Sequence, residues 1–69
     1  MMNWMDYNRI GLARSESGDY QGAIDDYTQA LNLNPGDEIS YIRRGYARLQ
    51  LGDYQGAIDD NAHAQLRRN

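Results

Sequence analysis

The sequence predicts an all-α fold: four antiparallel helices arranged as two helix–turn–helix units. Three observations predict it. First, the nine residues Gly18-Asp19-Tyr20-Gln21-Gly22-Ala23-Ile24-Asp25-Asp26 recur letter for letter as Gly52 to Asp60, at an offset of 34 residues. The same offset pairs Tyr7 with Tyr41, Arg9 with Arg43, Gly11 with Gly45, Ala13 with Ala47, Arg14 with Arg48 and Ala30 with Ala64. Second, apolar and small residues recur at spacings of three and four, with no sustained two-residue alternation. Third, chain breakers fall at regular places. A period of this length marks an architecture in which each unit buries its apolar face against a neighbour.

The first helix is expected from about Asn3 to Ser17, with Tyr7, Ile10, Gly11 and Arg14 on one face. Gly18 fits a left-handed helix C-terminus and Asp19 an N-cap, so the second helix begins at Tyr20. It runs to Leu33 with Tyr20, Ala23, Ile24, Tyr27, Ala30 and Leu31 on one face. Asn34-Pro35-Gly36-Asp37, with the one proline of the chain, breaks the sequence at its midpoint. The third helix, Asp37 to Leu51, repeats the first through Tyr41, Gly45 and Arg48. Gly52-Asp53 repeats the turn, and the fourth helix runs from Tyr54 to Arg67 with Tyr54, Ala57 and Ile58 on one face. Gly11 and Gly45 lie inside helices at a cost of about 1 kcal/mol relative to alanine, which close approach of a partner helix would offset. For Gly22 and Gly56 the sequence offers no packing reason.

These residues resemble the tetratricopeptide repeat, whose period is 34 residues and whose pattern is W-x2-L-G-x2-Y, then A-x3-F, A and P. The first unit reads Tyr7-x2-Ile10-Gly11-x2-Arg14, then Gly18, Tyr20, Ala23-x3-Tyr27, Ala30 and Pro35. The second reads Tyr41-x2-Arg44-Gly45-x2-Arg48, then Gly52, Tyr54, Ala57-x3-Asn61 and Ala64. The resemblance implies a short right-handed superhelical solenoid forming one domain over 1–69, with repeat 1 at about 4–37 and repeat 2 at about 38–69. Two departures stand out: Arg44 replaces an aliphatic residue, and Asn61 replaces an aromatic one. The end of the last helix, Asn61 to Arg68, is more polar than its counterpart in the first unit, so it reads as a polar cap. A fragment of a longer array is the other reading.

Composition narrows the function classes. The net charge is −3 and all seven basic residues are arginine, which argues against a general nucleic-acid partner. Tyr41, Arg43, Arg44, Tyr46 and Arg48 could stack on single-stranded RNA, but they point to several faces of one helix. There is no cysteine and a single histidine, His63, so no metal site is expected, and His63 is expected to be an exposed surface residue. No nucleophile turn or phosphate loop is present, so neither catalytic residues nor a cofactor are expected and the chain is not expected to be an enzyme. Asp25-Asp26 and Asp59-Asp60 are expected to sit on a solvated convex face. No apolar stretch is long enough for a membrane span, so no membrane partner is expected, and the chain start lacks the features of a secretory leader. Cytoplasm is the expected location.

The resemblance implies a protein–protein interaction scaffold whose first helices line a concave groove for a peptide or protein. On this chain that groove takes Met5, Asn8, Arg9, Leu12 and Ser15 from the first helix, and Ile39, Ile42, Arg43, Tyr46, Leu49 and Gln50 from the third. Arginine pairs geometrically with carboxylates, so the equivalent Arg9 and Arg43 point to an acidic or C-terminal peptide with an apolar anchor. The competing assignment has these arginines solvated or paired internally with acids such as Asp6 or Glu16. The family's carboxylate clamp on chaperone tails resembles a lysine and an asparagine one turn apart; Asn8 and Leu12 stand there, so that mode is not expected. Two repeats are fewer than the roughly three that such folds need. Met2, Trp4, Met5, Leu12, Ile39 and Ile42 would then form an open apolar surface, and a self-assembling homo-oligomer is the alternative function class.

Overall fold

The computed structural model describes residues 1–68, with side chains through residue 66. Four α-helices follow one another: α1 (Trp4–Glu16), α2 (Tyr20–Leu33), α3 (Glu38–Gln50) and α4 (Tyr54–Arg68). Among the described residues there is no strand. The expected boundaries hold within a residue or so because each is set by local chemistry. Asn3 caps α1 in a capping box: its Oδ1 accepts from the Asp6 N–H at 3.1 Å, and Asp6 Oδ2 accepts from the Asn3 N–H at 3.0 Å. Asp37 caps α3 by accepting from the Ser40 N–H at 3.3 Å.

The turn inside each unit is the same device twice. Gly18 and Gly52 have φ of 90° and 82°, the left-handed region where a side chain would be strained. The Asp19 N–H donates to the Arg14 carbonyl at 2.8 Å and the Gly18 N–H to the Ser15 carbonyl at 3.0 Å, which closes α1 with a Schellman motif. Asp53 and Gly52 repeat these bonds onto Arg48 and Leu49 at 2.9 and 3.0 Å. The Asp19 side chain then accepts from the Gly22 N–H at 3.0 Å, and Asp53 does the same for Gly56. One aspartate thus locks the end of one helix and starts the next. This also accounts for Gly22 and Gly56, because a Cβ at either would overlap the capping carboxylate.

Helix α1 packs on α2, α3 on α4, and α2 on α3, with a small contact between α1 and α3. The core is thin. Ala23, Tyr27 and Ala47 form its centre, with Tyr20 and Ile24 packed beside them. Tyr27 is the largest apolar side chain in it, at 1% exposure. A Cβ on Gly11 would stand 2.7 Å from the Tyr27 ring, so the mid-helix glycine is what lets that ring lie against α1. At Gly45 the facing residue is Asn61, and a Cβ would be 3.3 Å from its nearest neighbours. Close helix approach is therefore real at both glycines and tighter in the first unit. The side chains of Arg67 and Arg68, and Asn69, which belong to the expected polar cap, lie outside the described residues.

One expectation fails. The acidic doublets are not simply solvated. Asp25 and Asp59 are exposed and accept from Gln21 and Gln55, but Asp26 and Asp60 are buried. Their helix phase explains it, since Asp26 lies three residues after Ala23 and four before Ala30, both fully buried. Asp60 holds a complete set of partners. Arg44 grips it in a bidentate pair, Nε at 3.0 Å from Oδ2 and Nη2 at 2.8 Å from Oδ1, and Arg48 Nη1 donates to Oδ2 at 2.9 Å. Arg44 also donates to Thr28 Oγ1 at 3.1 Å, which ties α3 to α2. The departure from an aliphatic residue at position 44 is therefore an ion pair between α3 and α4 with a hydrogen bond to α2. Asp26 is poorer. Ile10 stands where Arg44 stands in the second unit, and Arg14 donates to Oδ1 at 3.5 Å while Oδ2 makes no hydrogen bond. Burial pushes the Asp26 carboxyl above its usual value, against the opposing pull of Arg14.

Candidate functional site

The groove residues expected from sequence come from α1 and α3, and the structure sets them along two adjoining clefts. The first, of about 210 Å³, is lined by Trp4, Met5, Asn8, Arg9, Leu12, Ile39 and Arg43. The second, of about 440 Å³, is lined by Leu12, Ser15, Glu16, Tyr20, Tyr27, Ile42, Arg43 and Tyr46. Leu12 and Arg43 belong to both, so the clefts share a wall. Leu49 lines a further hollow beside Ile42 and Tyr46, toward α4. Met5, Ile39, Ile42, Tyr46 and Leu49 are exposed, whereas Trp4 and Leu12 are half-buried.

Asn8 and Arg43 are brought together, but not as free groove groups. Asn8 is buried; its Nδ2 donates to Ser40 Oγ at 2.6 Å and to Asp37 Oδ2 at 3.4 Å, and its Oδ1 accepts from Arg43 Nη1. Ser40 in turn donates to Asp37 Oδ2 at 2.5 Å. This polar node joins α1 to α3 at the floor of the first cleft. Sequence reasoning placed Asn8 among ligand-facing residues because helix phase alone cannot separate a groove floor from a groove surface. The available signal was the spacing of Asn8 to Gly11 and Ser15, which puts all three on the buried face of α1.

Arg9 differs from its equivalent. It is largely exposed and reaches back to Asp6 Oδ1 at 3.1 Å. An exposed pair of this kind contributes roughly 0–1 kcal/mol, so Asp6 is a weak competitor for an incoming carboxylate. Glu16 lies at the other cleft, which gives the groove opposite charges at its two ends. Burial raises the Tyr27 hydroxyl pKa, so the ring closes the second cleft as a neutral phenol.

The remaining candidates fall away from the groove. Arg44 and Arg48 turn onto Asp60, which disperses the arginine–tyrosine cluster of α3. His63 is exposed and stacks on Tyr41, with ring centroids 5.1 Å apart and planes at 18°, while Arg44 covers the same Tyr41 ring at 5.7 Å. Among the described residues, no three histidines, cysteines or carboxylates converge on a metal-sized site. Among them, too, no helix is long and apolar enough to cross a membrane.

The family model of the tetratricopeptide repeat matches residues 6–37, which span α1, α2 and the turn that follows them. The four helices of the structure are consistent with two such units. That repeat is a non-catalytic scaffold that binds proteins or peptides. No curated protein matches the chain.

Proposed function

We propose, from the premise that this chain is built on the tetratricopeptide repeat, that its α1–α3 groove binds a short peptide segment carrying an apolar anchor and a carboxylate. The observation that supports this best is the pair of clefts joined at Leu12 and Arg43, apolar along their length and carrying opposite charges at their two ends. Leu12, Ile39 and Ile42 offer the apolar contacts, with Met5 and Tyr46 flanking them. Arg9 and Arg43 face the first cleft, so a carboxylate of the ligand, from Asp, Glu or a chain terminus, settles there. Arg9 is the more available of the two, since Arg43 already donates to Asn8. Glu16 repels that carboxylate from the second cleft and favours a neutral or basic ligand residue, which sets the direction in which the peptide lies.

Selection from a random peptide library with free C-termini tests this reading. The enriched sequences should combine an aliphatic or aromatic residue with an adjacent acid or the terminal carboxylate. Arg9→Glu should reverse the charge preference, and Leu12→Asp should abolish enrichment. A wild-type chain that enriches nothing, or that enriches basic peptides also selected by Arg9→Glu, would overturn the proposal.

A further inference from the structure

The two units are related by sequence but not by environment, and the difference lies on one face of α4. In the first unit Tyr20 and Ile24 are half-covered by α3, and Tyr20 meets Tyr46 edge-on with ring centroids 6.5 Å apart. Their equivalents Tyr54 and Ile58 are 64% and 60% exposed. Beside them opens a hollow of about 440 Å³, shared with Gly45, Tyr46, Leu49 and Asn61. On α1 the reciprocal difference appears. Ala47 of α3 is fully buried in the contact with α2, whereas its equivalent Ala13 is exposed.

We propose that this α4 face docks α1 of a second copy of the chain, in the register by which α2 already docks α3. The internal contact is the template, and the substituted pairs remain compatible. Where Tyr46 meets Tyr20, the second copy's Leu12 would meet Tyr54. Where Arg44 donates to Thr28, the second copy's Ile10 would lie on Ala62, one apolar pair replacing one polar pair. Ala13 would take the place of Ala47 against α4.

One internal feature is not reproduced. The node of Asn8 with Asp37, Ser40 and Arg43 becomes Ile42 facing the second copy's Asn3, Asp6 and Arg9. The stack between copies is therefore weaker than the contact within one copy. Because the contact joins different faces, it leaves one free face at each end and grows head to tail. It does not depend on the peptide reading of the groove.

Ala13→Glu blocks the α1 face and Ile58→Glu the α4 face, both at exposed positions, so each variant should keep wild-type helicity and melting temperature. In sedimentation, the wild type should gain mass steadily with concentration while each variant alone stays monomeric. An equimolar mixture of the two should form a pair and nothing larger, since one copy supplies α1 and the other α4. Rebuilding the node with Asn3→Asp, Asp6→Ser and Ile42→Asn should tighten association by about tenfold. A wild type that stays monomeric at millimolar concentration would overturn the proposal. So would a mixture no heavier than its components, a variant that dimerises alone, or a rebuilt node that does not tighten association.

Discussion

Asp26 and Asp60 occupy the same position in two copies of one sequence block, yet the structure gives their removal different consequences. Asp60→Asn leaves two guanidinium groups around a neutral amide, at a site where the carboxylate is 1% exposed. Breaking a buried ion pair by removing one partner costs about 3–5 kcal/mol. Arg48 is about one quarter exposed and can turn to water, so the lower end applies, about 3 kcal/mol. For a domain of this size, that lowers the melting temperature by roughly 12–24 °C. It is also a large share of a total stability of roughly 3–10 kcal/mol. Asp26→Asn loses only Arg14, which is half exposed and lies 3.5 Å from Oδ1 and 3.3 Å from Oδ2. It also removes the burial penalty that raises the Asp26 carboxyl, so the net change is a slight stabilisation. That change should stay within about 1 kcal/mol. Both substitutions remove one negative charge, so long-range charge effects nearly cancel between them. Thermal unfolding followed by circular dichroism separates the two cases. Equal shifts would refute the claim that the Arg44–Asp60–Arg48 cluster holds the second unit together.

Other outcomes follow from the same contacts. Asp26→Asn should be slightly more stable than wild type at neutral pH, and acidification should narrow that lead: the raised carboxyl pKa of Asp26 marks a burial penalty present at neutral pH and relieved as pH falls toward 3.8. Melting curves from pH 7 to pH 4 check the sign, and a gap that widens in acid contradicts it. Gly11→Ala should destabilise by up to about 2 kcal/mol, the clash of about 1–3 kcal/mol with Tyr27 less about 1 kcal/mol of helix propensity, whereas Gly45→Ala should be near neutral, because its 3.3 Å contacts are offset by the same propensity gain. Urea titrations of the two variants measure the contrast. Asn61→Tyr should raise the melting temperature by filling the hollow beside Gly45, while Tyr27→Asn should lower it sharply; the pair of melting curves tests whether the two units pack alike.

Turns and helix limits were legible from sequence because they depend on short-range bonds. Gly18, Asp19, Asp37 and Asp53 act within five residues of themselves. The clefts were legible too, since Met5, Arg9, Leu12, Ile39, Ile42 and Tyr46 follow from helix phase and the family pattern. What escaped were polar contacts between helices. Arg44 read as a defect in an aliphatic position because its partner lies 16 residues away on another helix. Asn8 read as a ligand contact because its partners lie 29 to 35 residues away. The phase of Asp26 and Asp60 was available in the spacing to Ala23, Ala30, Ala57 and Ala64, but a doublet of acids suggests water more strongly than it suggests burial.

The aspartate shared by both ends of each turn has an engineering consequence. The turn between the two helices of a unit is held by backbone atoms of residues 14–19 and 48–53 and by one carboxylate. Groove residues enter it only through their backbone, as Ser15 and Leu49 do with their carbonyls; their side chains take no part. The hairpin is thus an interchangeable cartridge: its lining can be rewritten for a new client while the corner that aims it stays as it is.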